Sequence, residues 1–298
     1  MTRSVTVGVD GTPASLAAAD WGAREARLRG VPLRLVHVWE WEWEPYPYTP
    51  PEGPEAARRW SEGVPREVTA PLRERYPGLG ITADRLAGTP SEVLCAAAGE
   101  SELLVVGTMG VGRLAGFLLG SVAMACVARS ARPVVVVRAR PSADGGLPGP
   151  EPAEATARPV VLGLELGRPC DDLIRFAFDA ALPRGAPLLV VHGWNPPPYL
   201  VYGIGAALNW GTDISAGKTS AVGEALAPWR ERYPAVDVRE QAVVGEPAHH
   251  LLEASSGAGL LVIGRRTRPA PAARPRIGHI AQAVLHHCPA PVAVVPYG

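Results

Sequence analysis

The sequence predicts an α/β chain built twice: two tandem domains, each a five-stranded parallel sheet flanked by helices. Three observations carry this. The chain repeats itself at a steady offset: "APLRERYP" at 70–77 returns as "APWRERYP" at 227–234, and "LLVVG" at 103–107 returns as "LLVIG" at 260–264, both 157 residues on. Gly88-Thr89-Pro90 returns as Gly245-Glu246-Pro247, and Val36-His37-Val38-Trp39 matches Val191-His192-Gly193-Trp194. Self-similarity over the whole length marks a duplication. Within each half, short β-branched runs alternate with helical patterns, which implies right-handed crossovers and a doubly wound layer. The length, 298 residues with 47% hydrophobic, fills two domains of ordinary size.

The elements of half one follow in order. The strands are "SVTVGVD" (4–10), "PLRLVHVW" (32–39), "GITADRLAG" (80–88), "ELLVVG" (102–107) and "RPVVVVR" (132–138). Near-continuous apolar runs among them are those of strands buried on both faces. The fourth strand is expected to end at Val106. Between the first two lies a helix from Thr12, an N-cap type, through Pro13 at the first helical position, to a stop at Gly30. "RPSADGGLPGPEPAEATARP" (140–159) lacks apolar periodicity and is rich in Pro, Gly and Ala. The domains are therefore expected at 1–140 and 159–298, with a linker over 141–158. The prolines are expected to concentrate in loops rather than in one tail.

Composition narrows the function. Lys+Arg and Asp+Glu both count 29, and zero net charge gives no support to nucleic-acid binding. No apolar run approaches the roughly 20 residues of a membrane span, and no signal-peptide pattern opens the chain. Four scattered cysteines without a C-x-x-C pair suit a reducing cytosol, so the expected location is cytoplasmic.

In doubly wound sheets ligands bind at the carboxyl ends of strands, where the strand order switches. The candidates there are Asp10, Val38 and the run from Gly107. After the fourth strand the chain reads Gly107-Thr108-Met109-Gly110, nine residues, then Gly120-Ser121 opening a helix. The free N–H groups at that helix start could receive an anion, and Arg113 could pair with a phosphate. A competing reading is that the glycines only allow a tight strand-to-helix connection.

The pattern G-x2-G-x9-G-[S/T] after a fourth strand resembles the ATP-binding motif of universal stress proteins, and Gly107, Gly110, Gly120 and Ser121 fit it without a gap. "VTVGVDGTPAS" resembles that family's first strand with its acidic residue, here Asp10; "HVW", "GTPSEVL" and "CPAPVAVV" resemble its other landmarks. The resemblance spans nearly the whole chain, twice. It implies two Rossmann-like domains of the adenine nucleotide alpha hydrolase-like type, with strand order 3-2-1-4-5. It implies an ATP site, with or without Mg²⁺, in which Gly8, Val9, Asp10 and the backbone at Val38 border adenine and ribose. Gly107, Thr108, Met109, Gly110, Val111, Gly112, Arg113, Gly120, Ser121 and Val122 would hold the phosphates.

Half two departs from the motif. Gly264 and Gly278 are kept, but Thr267 replaces the second glycine, His279 the serine, and Glu165 the aspartate. Pro269, Pro271 and Pro275 remove backbone donors from the loop. The expectation is weak nucleotide binding or none, with Gly163, Glu165, Gly264, Arg265, Arg266, Gly278 and His279 as the candidate second site.

Other features are set aside. "GTDISAGKTS" (211–220) has the wrong spacing for a Walker A loop. His249-His250, His279 and His286-His287 lack partners at metal-ligand spacing and read as helix-end histidines. The aromatic-acidic stretch at 39–53 reads either as a lid over adenine or partner surface, or as a variable loop covering apolar surface. No catalytic residues are expected, and turnover should be slow or nil. The expected assembly is an intramolecular pseudo-dimer of the halves and a further homodimer. Two functions follow: a nucleotide-binding stress regulator, or an interaction and scaffold protein of the same fold that binds no nucleotide. An ATP-consuming transferase or hydrolase is a weaker third.

Overall fold

Near-continuous runs such as "LLVV" and "PVVVV" leave no polar face for water, so the strands that carry them must be covered on both sides. The computed structural model describes residues 3–39, 54–108, 119–139, 147, 157–195, 210–267 and 277–298. The chain divides into two compact units, Met1–Glu151 and Pro152–Gly298. Of the expected linker, only Leu147, Ala157 and Arg158 lie among the described residues.

In half one, β1 (Val5–Gly8), β2 (Leu33–Trp39), β3 (Ile81–Ala87), β4 (Leu103–Thr108) and β5 (Val134–Arg138) alternate with α1 (Pro13–Arg29), α2 (Pro54–Arg75), α3 (Pro90–Gly99) and α4 (Ser121–Arg129). All pairings are parallel, in the order β3-β2-β1-β4-β5. Half two repeats this with β6 (Val160–Gly163), β7 (Leu188–Trp194), β8 (Val238–Val244), β9 (Leu260–Arg266) and β10 (Val292–Tyr297). Its helices are α5 (Asp171–Ala181), α6 (Trp210–Arg232), α7 (Pro247–Ala254) and α8 (His279–His287), and its order is β8-β7-β6-β9-β10. The expected fold class and strand order are both observed.

The capping signals of α1 act as read. The Thr12 side chain accepts from Ser15 N, Pro13 stands at N1, and Gly30 ends the helix at φ 66°. Gly88 and Gly245 have φ of 132° and 129°, conformations that exclude a side chain cheaply, so the G-x-P turns need their glycines. One expectation is corrected. β4 continues two residues past Val106, because Gly107 and Thr108 still pair with Val137 and Arg138 of β5. Three prolines sit inside helices: Pro65 and Pro71 in α2, and Pro228 in α6. The repeated "AP-x-RERYP" segment is therefore a helix end, and its tyrosine serves the core. The Tyr76 hydroxyl donates to the buried Asp20 carboxylate (2.8 Å), and the Tyr233 hydroxyl to Asp179 (2.7 Å).

Candidate functional site

The strand order switches between β1 and β4, so the ends of these strands open on a crevice. β1 stops at Gly8, and Val9 N still donates to Val36 O (2.9 Å). β2 runs on past its last pair with β1, Gly8 with Val36, and carries Val38 beyond it. Asp10, exposed just after the strand, is fastened to the start of α1. Its Oδ1 accepts from Thr12 N (3.0 Å) and Thr12 Oγ1 (2.6 Å), and its own N–H donates to Ser15 Oγ (3.3 Å). Asp10 Oδ2 has no hydrogen bond among the described residues.

The glycines separate by physical role. A Cβ on Gly107 would run into the Ala14 carbonyl and stand 2.8 Å from Ser15 N, so the first turn of α1 crosses β4 here and requires a glycine. A Cβ on Gly8 would meet only the tip of Leu94 (2.9 Å), a flexible side chain on α3. Gly120 differs from both. It is the N-cap of α4, with φ −60° and ψ 151°, and a Cβ there meets no described atom within 4 Å. Among the described residues no side chain caps this helix; the intrahelical ladder begins with Met124 N donating to Gly120 O (3.0 Å). The N–H groups of Ser121, Val122 and Ala123 precede that ladder, which is the arrangement that receives anions. Thr108 is buried, so its side chain faces the core. Met109, Gly110, Val111, Gly112 and Arg113 lie outside the described residues.

A residue that the sequence reading passed over organises the β1–β2 end. His37 is 3% exposed, and its Nδ1 lies 2.8 Å from Val9 O, so Nδ1 carries the proton. In the neutral ring Nε2 is then an acceptor for the Ser61 hydroxyl (3.0 Å). Ser61 Oγ in turn accepts from Arg85 Nε (3.1 Å), and the Arg85 guanidinium stacks over Trp39 at 4.2 Å. The chain of bonds ties α2 and β3 to the carbonyl just before Asp10. The signal in the sequence was the repeated histidine itself, His37 and His192, which the repeat register exposes.

Half two keeps the first link only. His192 Nδ1 lies 2.9 Å from Leu164 O, but its Nε2 has no partner among the described residues. Lys218 stands at the repeat position of Ser61, and Ala242 at that of Arg85, since Arg85 pairs with His37 and Ala242 with His192 in register. The helix start is preserved: Gly278 caps α8 at φ −64° and ψ 156° with no described atom within 4 Å of a Cβ there, and exposed His279 follows. Gly163 meets the tip of Leu251 (3.1 Å), as Gly8 meets Leu94. The difference is at β9. A Cβ on Gly264 would penetrate the Tyr297 ring (2.8 Å to Cδ1). The Tyr297 hydroxyl donates to Glu165 Oε2 (3.0 Å), the same oxygen that faces Arg266 Nε at 3.8 Å. Burial, then the bond to Glu165, pushes the Tyr297 phenol up to about 12. Thr267 N and Oγ1 both donate to Tyr297 O (2.9 and 3.1 Å). Arg265 lies on the same strand end.

The features set aside resolve as follows. The stretch 211–220 is the interior of α6, so Lys218 and Thr219 are not on a loop that opens a helix. His250 Nε2 bonds to Val244 O (3.0 Å) and exposed His249 faces Glu253 (3.3 Å). Among the described residues no cluster of three His, Cys, Asp or Glu could hold a metal ion, and no helix is long and apolar enough to cross a membrane. The stretch 40–53 lies outside the described residues.

The universal stress protein family model matches residues 1–138 and again 156–296. A universal stress protein of Mycobacterium bovis is 35% identical, covering 98% of this chain and 96% of that protein. The crystal structure of a universal stress protein from Archaeoglobus fulgidus superposes with a TM-score of 0.68 at 16% identity, covering 99% and 98% of the two chains. A universal stress protein solved in complex with cAMP is 27% identical over 47% of this chain and 98% of its own, with a TM-score of 0.36.

Proposed function

Because the chain belongs to the universal stress protein family, once in each half, we propose that it is an adenine-nucleotide-binding stress regulator whose half one holds ATP. The observation that carries this reading is the start of α4. Gly120, with no described atom beside it, leads a helix whose first N–H groups have no side-chain cap among the described residues. Phosphate oxygens, with or without Mg²⁺, supply the acceptors, with Ser121 and Val122 as donors. Asp10 Oδ2 is available to a ribose hydroxyl, because Thr12 engages only Oδ1. The backbone past β1, at Val38, borders the adenine. The bound state acts through contacts with partners and with little or no turnover, in a cytoplasmic protein that pairs its halves and further dimerises.

A second reading, a scaffold that binds no nucleotide, has one observation in its favour: Gly107 is explained by packing alone. Thermal unfolding with and without ATP and Mg²⁺ separates the two. A ligand that binds only the folded state at a hundred times its Kd adds about 2.7 kcal/mol. Gly120→Glu should leave the free protein as stable, since its Cβ has room and φ is ordinary, yet remove the ATP shift by setting a carboxylate where phosphate would lie. Absence of any shift at millimolar ATP in the wild type would leave the scaffold reading standing.

A further inference from the structure

The glycine that half two retains serves a side chain. Tyr297 extends from the end of β10, its ring lies against Gly264 of β9, and its hydroxyl reaches Glu165 beyond the end of β6. It therefore crosses the β6–β9 switch point, the place in the fold where half one presents Asp10 and Gly107. Three positions of the motif converge on this one residue. The first glycine receives its ring, the acidic position receives its hydroxyl, and Thr267, at the position of the second glycine, is bound to its carbonyl. Its counterpart in half one is Ala139, which has neither ring nor hydroxyl.

The space Tyr297 takes is also differently bounded. α1 begins at Pro13, and its first turn covers Gly107. The counterpart of Pro13 at the 155-residue offset is Arg168, but α5 begins only at Asp171. In half two the first turn of α5 approaches Gly264 through the end of the Leu173 side chain (3.1 Å from a Cβ at that glycine), and the Tyr297 ring stands where the backbone of α1 lies in half one.

We propose that Tyr297 is an internal occupant of the strand-end crevice of half two, whose ring closes that crevice to adenine nucleotide. The start of α8 is still shaped as in half one, so the block lies at the ribose and adenine end. Removing the ring opens a second site. The inference rests on the reading that these strand ends hold adenine nucleotide.

Equilibrium dialysis of the full chain against ATP and Mg²⁺ tests it by stoichiometry. The wild type should bind one ATP, Tyr297→Ala two, and Tyr297→Phe, which keeps the ring, one. Tyr297→Val retains strand propensity and stands in if the alanine variant does not fold. Combining either truncation with Gly120→Glu should return the count to one, which assigns the new site to half two. Two ATP in the wild type or in Tyr297→Phe, or one in both truncations, overturns the proposal. No ATP in the wild type but one in a truncation keeps it and overturns the reading of half one. No ATP in any variant overturns both.

Discussion

Gly107 and Gly264 occupy the same position in two copies of one fold, and packing alone accounts for a glycine at each. The first makes way for the backbone of α1, the second for the ring of Tyr297. Gly120 and Gly278 form the contrasting pair: no described atom lies near either, and ordinary φ would tolerate a side chain at both. A motif read as one unit in sequence thus contains positions fixed by packing and positions the packing leaves free. Half two has Thr267 and His279 at the positions of Gly110 and Ser121, and has a glycine at the packing position as half one does.

The largest effect expected from breaking this comparison is at the packing glycines. Gly107→Ala drives a Cβ into the Ala14 carbonyl, which cannot move without shifting α1, so a loss of about 3 kcal/mol is expected in urea unfolding. Gly264→Ala meets the Tyr297 ring and, at 3.1 Å, the flexible end of Leu173, so most of its cost of about 2 kcal/mol should be lost in a Tyr297→Ala background. The double-mutant cycle reads this coupling directly. Additive losses would mean that the ring does not set the requirement for glycine.

Next in size is the histidine network. Ser61→Ala takes a hydroxyl from both His37 Nε2 and Arg85 Nε, groups that are buried or half-buried, and should cost about 1–2 kcal/mol. Lys218→Ala, at the matching position of half two, touches no such network and should stay within about 0.5 kcal/mol. Equal effects in chemical denaturation would show that the two halves do not differ here in the way the hydrogen bonds indicate.

These contrasts also mark what the sequence could reveal. The repeat and the apolar runs disclosed ten strands, because burial on both faces leaves a local imprint on composition, whereas the order within each sheet followed from the family resemblance. The capping of α1 was equally local: Thr12, Pro13 and Gly30 lie within a few residues of the groups they serve. The role of His37 was hidden because its partners are 28, 24 and, through Ser61, 48 residues away along the chain. The role of Tyr297 was hidden for the same reason, since its hydroxyl bonds across 132 positions. Pro65, Pro71 and Pro228 stand inside helices, where two long elements tolerate the lost hydrogen bonds.

The smallest effect expected isolates the Tyr297 hydroxyl. Tyr297→Phe leaves the ring on Gly264 and removes one bond to Glu165, a loss of about 1 kcal/mol near neutral pH. The hydroxyl also has a signature in pH. Its folded-state pKa stands at about 12 against 10.0 for the ordinary phenol, so between these values the folded chain holds a proton that the unfolded chain has released. Stability from this group is complete below pH 10 and is lost as pH rises through 12. The wild type should lose stability more steeply than Tyr297→Phe across that window, by up to one proton in the linkage slope. Tyr76 and Tyr233, also shifted upward by burial, are present in both proteins and cancel in the difference. Parallel slopes for the two proteins from pH 10 to 12 would place the Tyr297 hydroxyl in water rather than on Glu165, and half two would then lack the contact that most distinguishes it from half one.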